Sequence, residues 1–365
     1  MSDIFDYLKW RGDLTFTQDP PNAVDALIFS ALAYIHFSDE AEAFSAAPVL
    51  LRSAAEAFFL QEHPEEDIRV KNDLELLRLA SESVRFGFTK LYLYRDLLIP
   101  EQETQFAAVT FLLDDGSAFL AFRGTDYSLV GWKEDFNMAF QQTVPAQRLA
   151  QQYVREVAAE YVGPLRMGGH SKGGNLAVFA AARSAPAVQE QILEVYNNDG
   201  PGFTEYMMGD PGYLAMVPRT RTFVPQSSVI GMLLEHEEPY TIIKSKQLGL
   251  LQHEIYSWEV MGKNFIPMEE ITGGTRFVNA TIKDWLAGMT NQERNELVDL
   301  MFGLLGTGGV ESALDILHPK NVGLYLKTIS QDENLRKILS EEFTNLMDAA
   351  RRTRDRFADK KALEA

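Results

Sequence analysis

The chain contains no cysteine in its 365 residues. That removes a disulfide framework, thiolate metal sites and a cysteine nucleophile, so any covalent chemistry must use another residue. Positive charge is scarce: 34 Lys and Arg stand against 52 Asp and Glu, a formal net charge of −18. Such a surface repels phosphate backbones and anionic headgroups, so nucleic acid is not an expected partner, while a neutral interface is not disfavoured. No stretch approaches the roughly 18 uninterrupted apolar residues of a membrane span. The opening Met-Ser-Asp-Ile-Phe-Asp has acids where a signal peptide carries a basic flank, so a cytoplasmic location is expected. H-E-x-x-H, a P-loop and a G-x-G-x-x-G with its downstream acid are all missing. Metal and nucleotide enzymes therefore rank low, and no cofactor or metal is expected. Internal repeats and low-complexity tracts are absent too.

What remains is globular material, 46% hydrophobic and 11% aromatic, enough for one large domain or two ordinary ones. Val24, Leu27, Ile28, Ala31, Leu32 and Ile35 recur at three and four, which predicts a helix over 22–37. Further helices are predicted over 49–60 and, behind an Asn72 cap, over 72–86. The period then changes. Short apolar runs at 106–113 and 118–122 flank Asp114-Asp115-Gly116-Ser117, a hairpin turn. A helix over 145–162, a strand over 165–168, a helix over 174–183 and strands at 192–196, 220–224 and 240–244 follow. This alternation predicts an α/β layer with a largely parallel sheet. Beyond about 279 the pattern is helical again, with capping boxes at Thr290/Glu293 and Ser330/Glu333. Four arginines between 351 and 356 suit a helix C-terminus. The glycines at 303, 306, 308 and 309 mark a break between late helices.

Gly169-His170-Ser171-Lys172-Gly173 is a G-x-S-x-G pentapeptide between a predicted strand and an alanine-rich helix. A nucleophile elbow needs that context, with small residues two before and two after the serine so that strand and helix pass closely. The helix N-terminus then aims backbone N–H groups, Lys172 first, at the oxyanion formed on attack. The plain alternative is a glycine-rich turn with an ordinary serine. Upstream lie Arg123-Gly124-Thr125-Asp126 and Trp132-Lys133-Glu134-Asp135. A strand ending in Arg-Gly-Thr sets Thr125 at the carboxyl edge of the sheet, where open α/β sheets bind ligands. Thr125 is a candidate for the second half of an oxyanion hole. Otherwise this is a strand-ending turn, with Arg123 paired to Asp126 or Asp135.

Phe-Arg-Gly-Thr, a following Trp and Asp, and Gly-His-Ser-x-Gly-Gly-x-Leu-Ala together resemble the class 3 lipase pattern of the α/β-hydrolase superfamily. Nearly the whole chain resembles the bacterial Mbeg1-like proteins more closely. The shared stretches include Asp-Tyr-Leu-Lys-Trp-Arg-Gly-Asp, Asn-Asp-Gly-Pro-Gly-Phe and Pro-Gln-Ser-Ser-x-x-Gly-Met-Leu-Leu-Glu-His. The resemblance implies an α/β-hydrolase-type, mostly parallel sheet with helical N- and C-terminal additions, and a serine nucleophile. It does not name a substrate.

The α/β-hydrolase order is nucleophile, acid, histidine. His236, His253 and His318 follow Ser171. His318 precedes Pro319 in the helical tail, where a loop or capping role is expected. His236 sits among acids in Leu-Leu-Glu-His-Glu-Glu. His253 lies in a loop before the segment 256–260, as the histidine of class 3 lipases follows the last strand, and is the preferred base. The acid departs from the lipase pattern, whose position falls in Thr222-Phe223-Val224-Pro225-Gln226-Ser227-Ser228, where no acid stands. Asp199, directly after the strand that follows the elbow helix, is the preferred substitute, with Glu235 and Glu237 behind it. Lys172 is expected either to mark a polar or anionic substrate or to pair with a surface acid.

Two functions fit this reading. One is a serine hydrolase cleaving an ester, thioester or lipid-like acyl bond of a small-molecule or lipid-like substrate. The other is a binding or scaffolding protein that keeps the fold without turnover. Residues 1–265 are expected to form the hydrolase domain with an N-terminal helical cover, and 266–365 a helical extension packed on it.

Overall fold

Eight strands pair side by side in the order in which the chain makes them. They are β1 (Val49–Leu50), β2 (Lys90–Ile99), β3 (Thr104–Leu112), β4 (Ala118–Phe122), β5 (Leu165–His170), β6 (Ile192–Asn198), β7 (Thr220–Pro225) and β8 (Tyr240–Ile243). The computed structural model describes every residue except Met1, 38–46, Tyr127, 308–309, 311–315, 317 and 364–365. The pairs β1–β2, β2–β3 and β3–β4 are antiparallel. Those from β4 to β8 are parallel, joined by crossovers that carry helices. The result is an α/β-hydrolase-type sheet, its parallel part where the strand–helix alternation predicted it.

Each β4 side chain alternates between two cores, as the period of two requires. Phe119 and Ala121 join the core beneath the N-terminal helices. Ala118, Leu120 and Phe122 join the core beneath the helices Pro145–Glu160 and Lys172–Ala182. The first of these layers is built around the helix Ala23–Leu32, capped by Asn22 through Val24 N and Asp25 N. Its residues from Val24 to Leu32 are all buried, because sheet packs on one side and outer helices on the other. Asp25 inside it is held by Arg85 Nε at 2.7 Å and Nη2 at 2.6 Å, and by the Tyr7 hydroxyl at 2.8 Å. Burial pushes the Asp25 carboxyl up, against the pull of that guanidinium.

Several predicted boundaries move. The helix predicted over 22–37 stops at Leu32, behind an unpredicted helix Ile4–Arg11, and 49–60 divides into β1 and a helix, Leu51–Phe59. The helix predicted from Asn72 starts at Lys71, with Val70 at its cap and the Asp73 carboxylate accepting from Val70 N at 2.9 Å. Strand β2 carries no clear period because a bulge between Tyr92 and Arg95 shifts its phase, with Leu93 at φ 51°. The short helix Leu129–Asn137 was also not predicted; Ser128 caps it through Gly131 N.

In the C-terminal part the Thr290/Glu293 capping box forms. Ser330 does not cap: it lies inside the helix Pro319–Gln331 and donates to Lys327 O, while Asp332 accepts from Leu335 N at 2.9 Å. Glycines 308 and 309 lie outside the described residues. The helices Gly273–Ala287 and Glu333–Leu363 lie against each other through Arg352 and Arg356 on Asp284 and Trp285 on Glu342. A small cluster of Leu129, Phe140, Val298, Phe302 and Val310 joins this part to the helix Leu129–Asn137. Among the described residues, no helix is long and apolar enough to cross a membrane.

Candidate active site

Strand β5 ends at His170, and the helix Lys172–Ala182 begins one residue later. Between them Ser171 has φ 58° and ψ −134°, a conformation costing about 1–3 kcal/mol that survives only where its surroundings impose it. The imposing contacts are close. A Cβ on Gly169 would stand 2.2 Å from Gly173 C, and one on Gly173 2.1 Å from Phe122 O. Both flanking glycines are thus required by the approach of helix to strand, as the G-x-S-x-G spacing implies. Ser171 N donates to Asn198 O at 3.0 Å, fixing the turn against the end of β6.

Asp199 follows β6 at once and is wholly buried, with φ 55°. Its Oδ2 lies 2.7 Å from His253 Nδ1, and its Oδ1 accepts the Ser228 hydroxyl at 2.5 Å. Ser228 Oγ in turn accepts from Gly231 N at 3.0 Å. This carboxylate therefore fixes one ring nitrogen of His253 as a donor and leaves Nε2 to accept a proton. The His253 side chain is 27% exposed, so it faces the open side of the site.

The histidine loop is pinned at three consecutive residues. Gln252 O accepts from Trp258 Nε1 at 2.9 Å, and its side chain takes the Ser227 N–H at 2.7 Å. His253 O lies 2.8 Å from His170 Nε2. The Glu254 carboxylate is forked by Arg69 at 2.7 and 2.8 Å. Ser171 Oγ has no hydrogen bond among the described residues.

On the opposite flank, a Cβ on Gly124 would lie 3.1 Å from Ser171 Cβ, which sets Thr125 beside the serine. The Thr125 hydroxyl donates to Asp135 Oδ2 at 2.5 Å. Burial raises the Asp135 carboxyl to about 6, opposed by Lys172 and Thr125. Lys172 does not reach toward a substrate. Its ammonium is buried beneath the elbow on Gln105 O at 2.8 Å, Gln105 Oε1 at 2.7 Å and Glu134 Oε2 at 3.0 Å. It pairs with an acid, as one expectation had it, but that acid, Glu134, is fully buried rather than at the surface, so the side chain is structural. What Lys172 presents to the site is its position as first residue of the elbow helix.

Arg123 pairs with Asp126, as one expectation had it, but more closely with another acid. Both terminal nitrogens hold Asp96, at 2.7 and 2.6 Å, with Asp126 only at 3.8 Å. Although burial raises Asp96, hydrogen bonding from His36 and the charge of Arg123 hold it well below the usual carboxylate range. His236 is occupied on both ring nitrogens, by Glu238 at 3.2 Å and Gly231 O at 3.0 Å. Glu235 is paired with Lys283 at 2.7 Å. Glu237 donates only its backbone N–H, to the Tyr213 hydroxyl at 3.1 Å, and His318 stands at a helix start without capping it. Sequence reasoning missed Ser228 on Asp199 and Arg69 on Glu254. No sequence signal pairs residues so far apart along the chain.

Sheet order, elbow and carboxylate–imidazole pair define an α/β-hydrolase-type protein. The chain belongs to the Mbeg1-like family, whose model matches residues 80–303. No curated protein matches it. Among solved structures it is similar to a fungal lipase (12% identity, TM-score 0.39, covering 67% of this chain and 84% of that one). It is also similar to a mutant of MDLA from Penicillium cyclopium (13%, 0.37, 68% and 86%). A third is the propeptide complex of the Rhizomucor miehei lipase (11%, 0.36, 60% and 67%).

Proposed function

We propose that this chain is a serine hydrolase that cleaves an ester, thioester or lipid-like acyl bond through an acyl-enzyme. Ser171 Oγ attacks the carbonyl carbon while His253 Nε2 takes its proton. Asp199, bonded to Nδ1, orients the ring and stabilises the imidazolium. The backbone N–H groups of Thr125 and Lys172 receive the oxyanion. His253 then protonates the leaving group, and a water activated by the same ring releases the acid. Two observations carry this reading: the buried Asp199 bonded to His253 Nδ1 at 2.7 Å, and the strained elbow at Ser171. Leu248, Leu250 and Leu251 are exposed on the loop ending at His253, which suits an apolar acyl group.

The test is labelling by a fluorophosphonate, which reacts only with an activated serine. Wild-type protein is expected to label, and Ser171→Ala to lose labelling and about 10⁶-fold in kcat with its unfolding midpoint nearly unchanged. Undiminished labelling of that variant would exclude the assignment. That Ser171 Oγ has no hydrogen bond among the described residues favours a second reading, a binding protein on the same fold. That reading predicts no labelling of the wild-type chain.

A further inference from the structure

The three residues with which the reaction is proposed all lie inside the stretch matched by the family model, whereas residues 1–79 lie outside it. Yet two side chains from that outer part reach the loop of the base, Arg69 directly and Tyr34 through His170. Tyr34, two residues beyond the buried helix Ala23–Leu32, places its hydroxyl 3.0 Å from His170 Nδ1. Arg69 forks Glu254 and lies 4.7 Å over the Tyr34 ring.

The chemistry of His170 decides the direction of these bonds. Its ring is buried, and burial, then the neighbouring His253 and Arg69, hold it well below the usual imidazole range, so it is neutral. A neutral ring has one donor and one acceptor nitrogen. Nε2 faces the His253 carbonyl at 2.8 Å, which can only accept, so the proton is on Nε2. Nδ1 must then accept, and the Tyr34 hydroxyl donates to it. The sequence Tyr34 O–H to His170 to His253 O is thus polarised one way, from the N-terminal layer into the backbone of the base. His170 and His253 also lie ring to ring, with centroids 4.5 Å apart. From the other side, the Arg69 fork fixes the next residue, Glu254.

Building on the assignment of His253 as base, we infer that His170, Tyr34 and Arg69 are positioning residues. The N-terminal helical layer thereby completes the site by holding the backbone of the proposed base, His253, in place. None of the three touches the reacting atoms. Their effect is on geometry, and an error of about 1 Å at a catalytic group costs on the order of 100-fold.

The test uses the full-length chain and reads kcat, KM and the fluorophosphonate labelling rate, with thermal unfolding alongside. His170→Phe keeps a ring but no donor; it should lower kcat and labelling 10- to 100-fold, with KM within threefold. His170→Gln, whose Nε2 still donates to the carbonyl, should recover most of that loss. Tyr34→Phe, which removes only the hydroxyl that donates to Nδ1, should lower kcat by three- to tenfold. Arg69→Leu should behave similarly, and Arg69→Lys less so. A folded His170→Phe within twofold of wild type would overturn the inference, as would Gln and Phe variants equally impaired at equal stability. If His170→Phe does not fold, Tyr34→Phe and Arg69→Leu decide alone, and wild-type kcat in both overturns it. Wild-type protein that does not label, or His253→Ala labelling at the wild-type rate, would instead refute the underlying hydrolase reading.

Discussion

The elbow helix Lys172–Ala182 and the long C-terminal helix Glu333–Leu363 stand in opposite relation to water. All eleven residues of the first are buried. The second leaves Phe343, Met347 and Phe357 exposed. The first is enclosed by the sheet and neighbouring helices, so a strained serine before it has nowhere to relax. The second packs on two other helices of the C-terminal part, Gly273–Ala287 and Pro319–Gln331, and on a few ion pairs around Asp284. Strain is stored where packing is complete, and the site sits there.

Four changes test this contrast, the largest first. We propose that 266–365 depends on the sheet body, to which the Lys133–Asp299 and Lys283–Glu235 pairs and the Phe136–Phe302 contact tie it. Expressed alone, it should show no cooperative thermal transition as a monomer. A sharp transition in calorimetry would make it a domain. Next, Arg85→Met leaves the Asp25 carboxylate buried without its ion pair. It should cost about 3–5 kcal/mol of unfolding free energy in urea titration. Leu176→Ala in the elbow helix should cost about 2–5 kcal/mol. By contrast, Phe343→Ser should stay within about 0.5 kcal/mol, as exposed substitutions do. Equal losses in the last two would erase the distinction.

The smallest effect concerns Asp135. Its folded-state value of about 6 lies above the ordinary carboxylate value, so the folded protein holds this proton more tightly than the unfolded chain. That contribution to stability is complete below about pH 4 and is lost as pH rises through about 6. Asp135→Asn should therefore gain Tm relative to wild type as pH goes from 4 to 7. A third of the side chain is exposed, so screening keeps the gain to a degree or two. A constant Tm difference would show that the carboxyl is not shifted.

The sheet and the elbow were legible because their signals are local. The turn Asp114–Ser117, the strand at 165 and the glycines around Ser171 each announce themselves within a few residues. Strand β2 was not, since its bulge breaks the alternation on which strand reading depends. Lys172 was misjudged for a related reason: a lysine in an exposed-looking motif gives no hint that Glu134 and Gln105 wait beneath it. The pairing of Asp199 with His253 was inferable from chain order and elimination. The supports from Ser228, His170 and Arg69 are long-range contacts, and one sequence holds no record of distance.

The strand order has a consequence for how the molecule comes into being. Since β1 to β8 lie in the order of synthesis, each strand can dock on the edge left by its predecessor, without waiting for a distant partner. A nascent chain leaving the ribosome would have the Ser171 turn and Asp199 assembled before residues 240–258 emerge. His253 then arrives last, onto a platform already built by the N-terminal layer. The candidate site would thus be assembled late in biogenesis, when the sheet that must restrain it is complete.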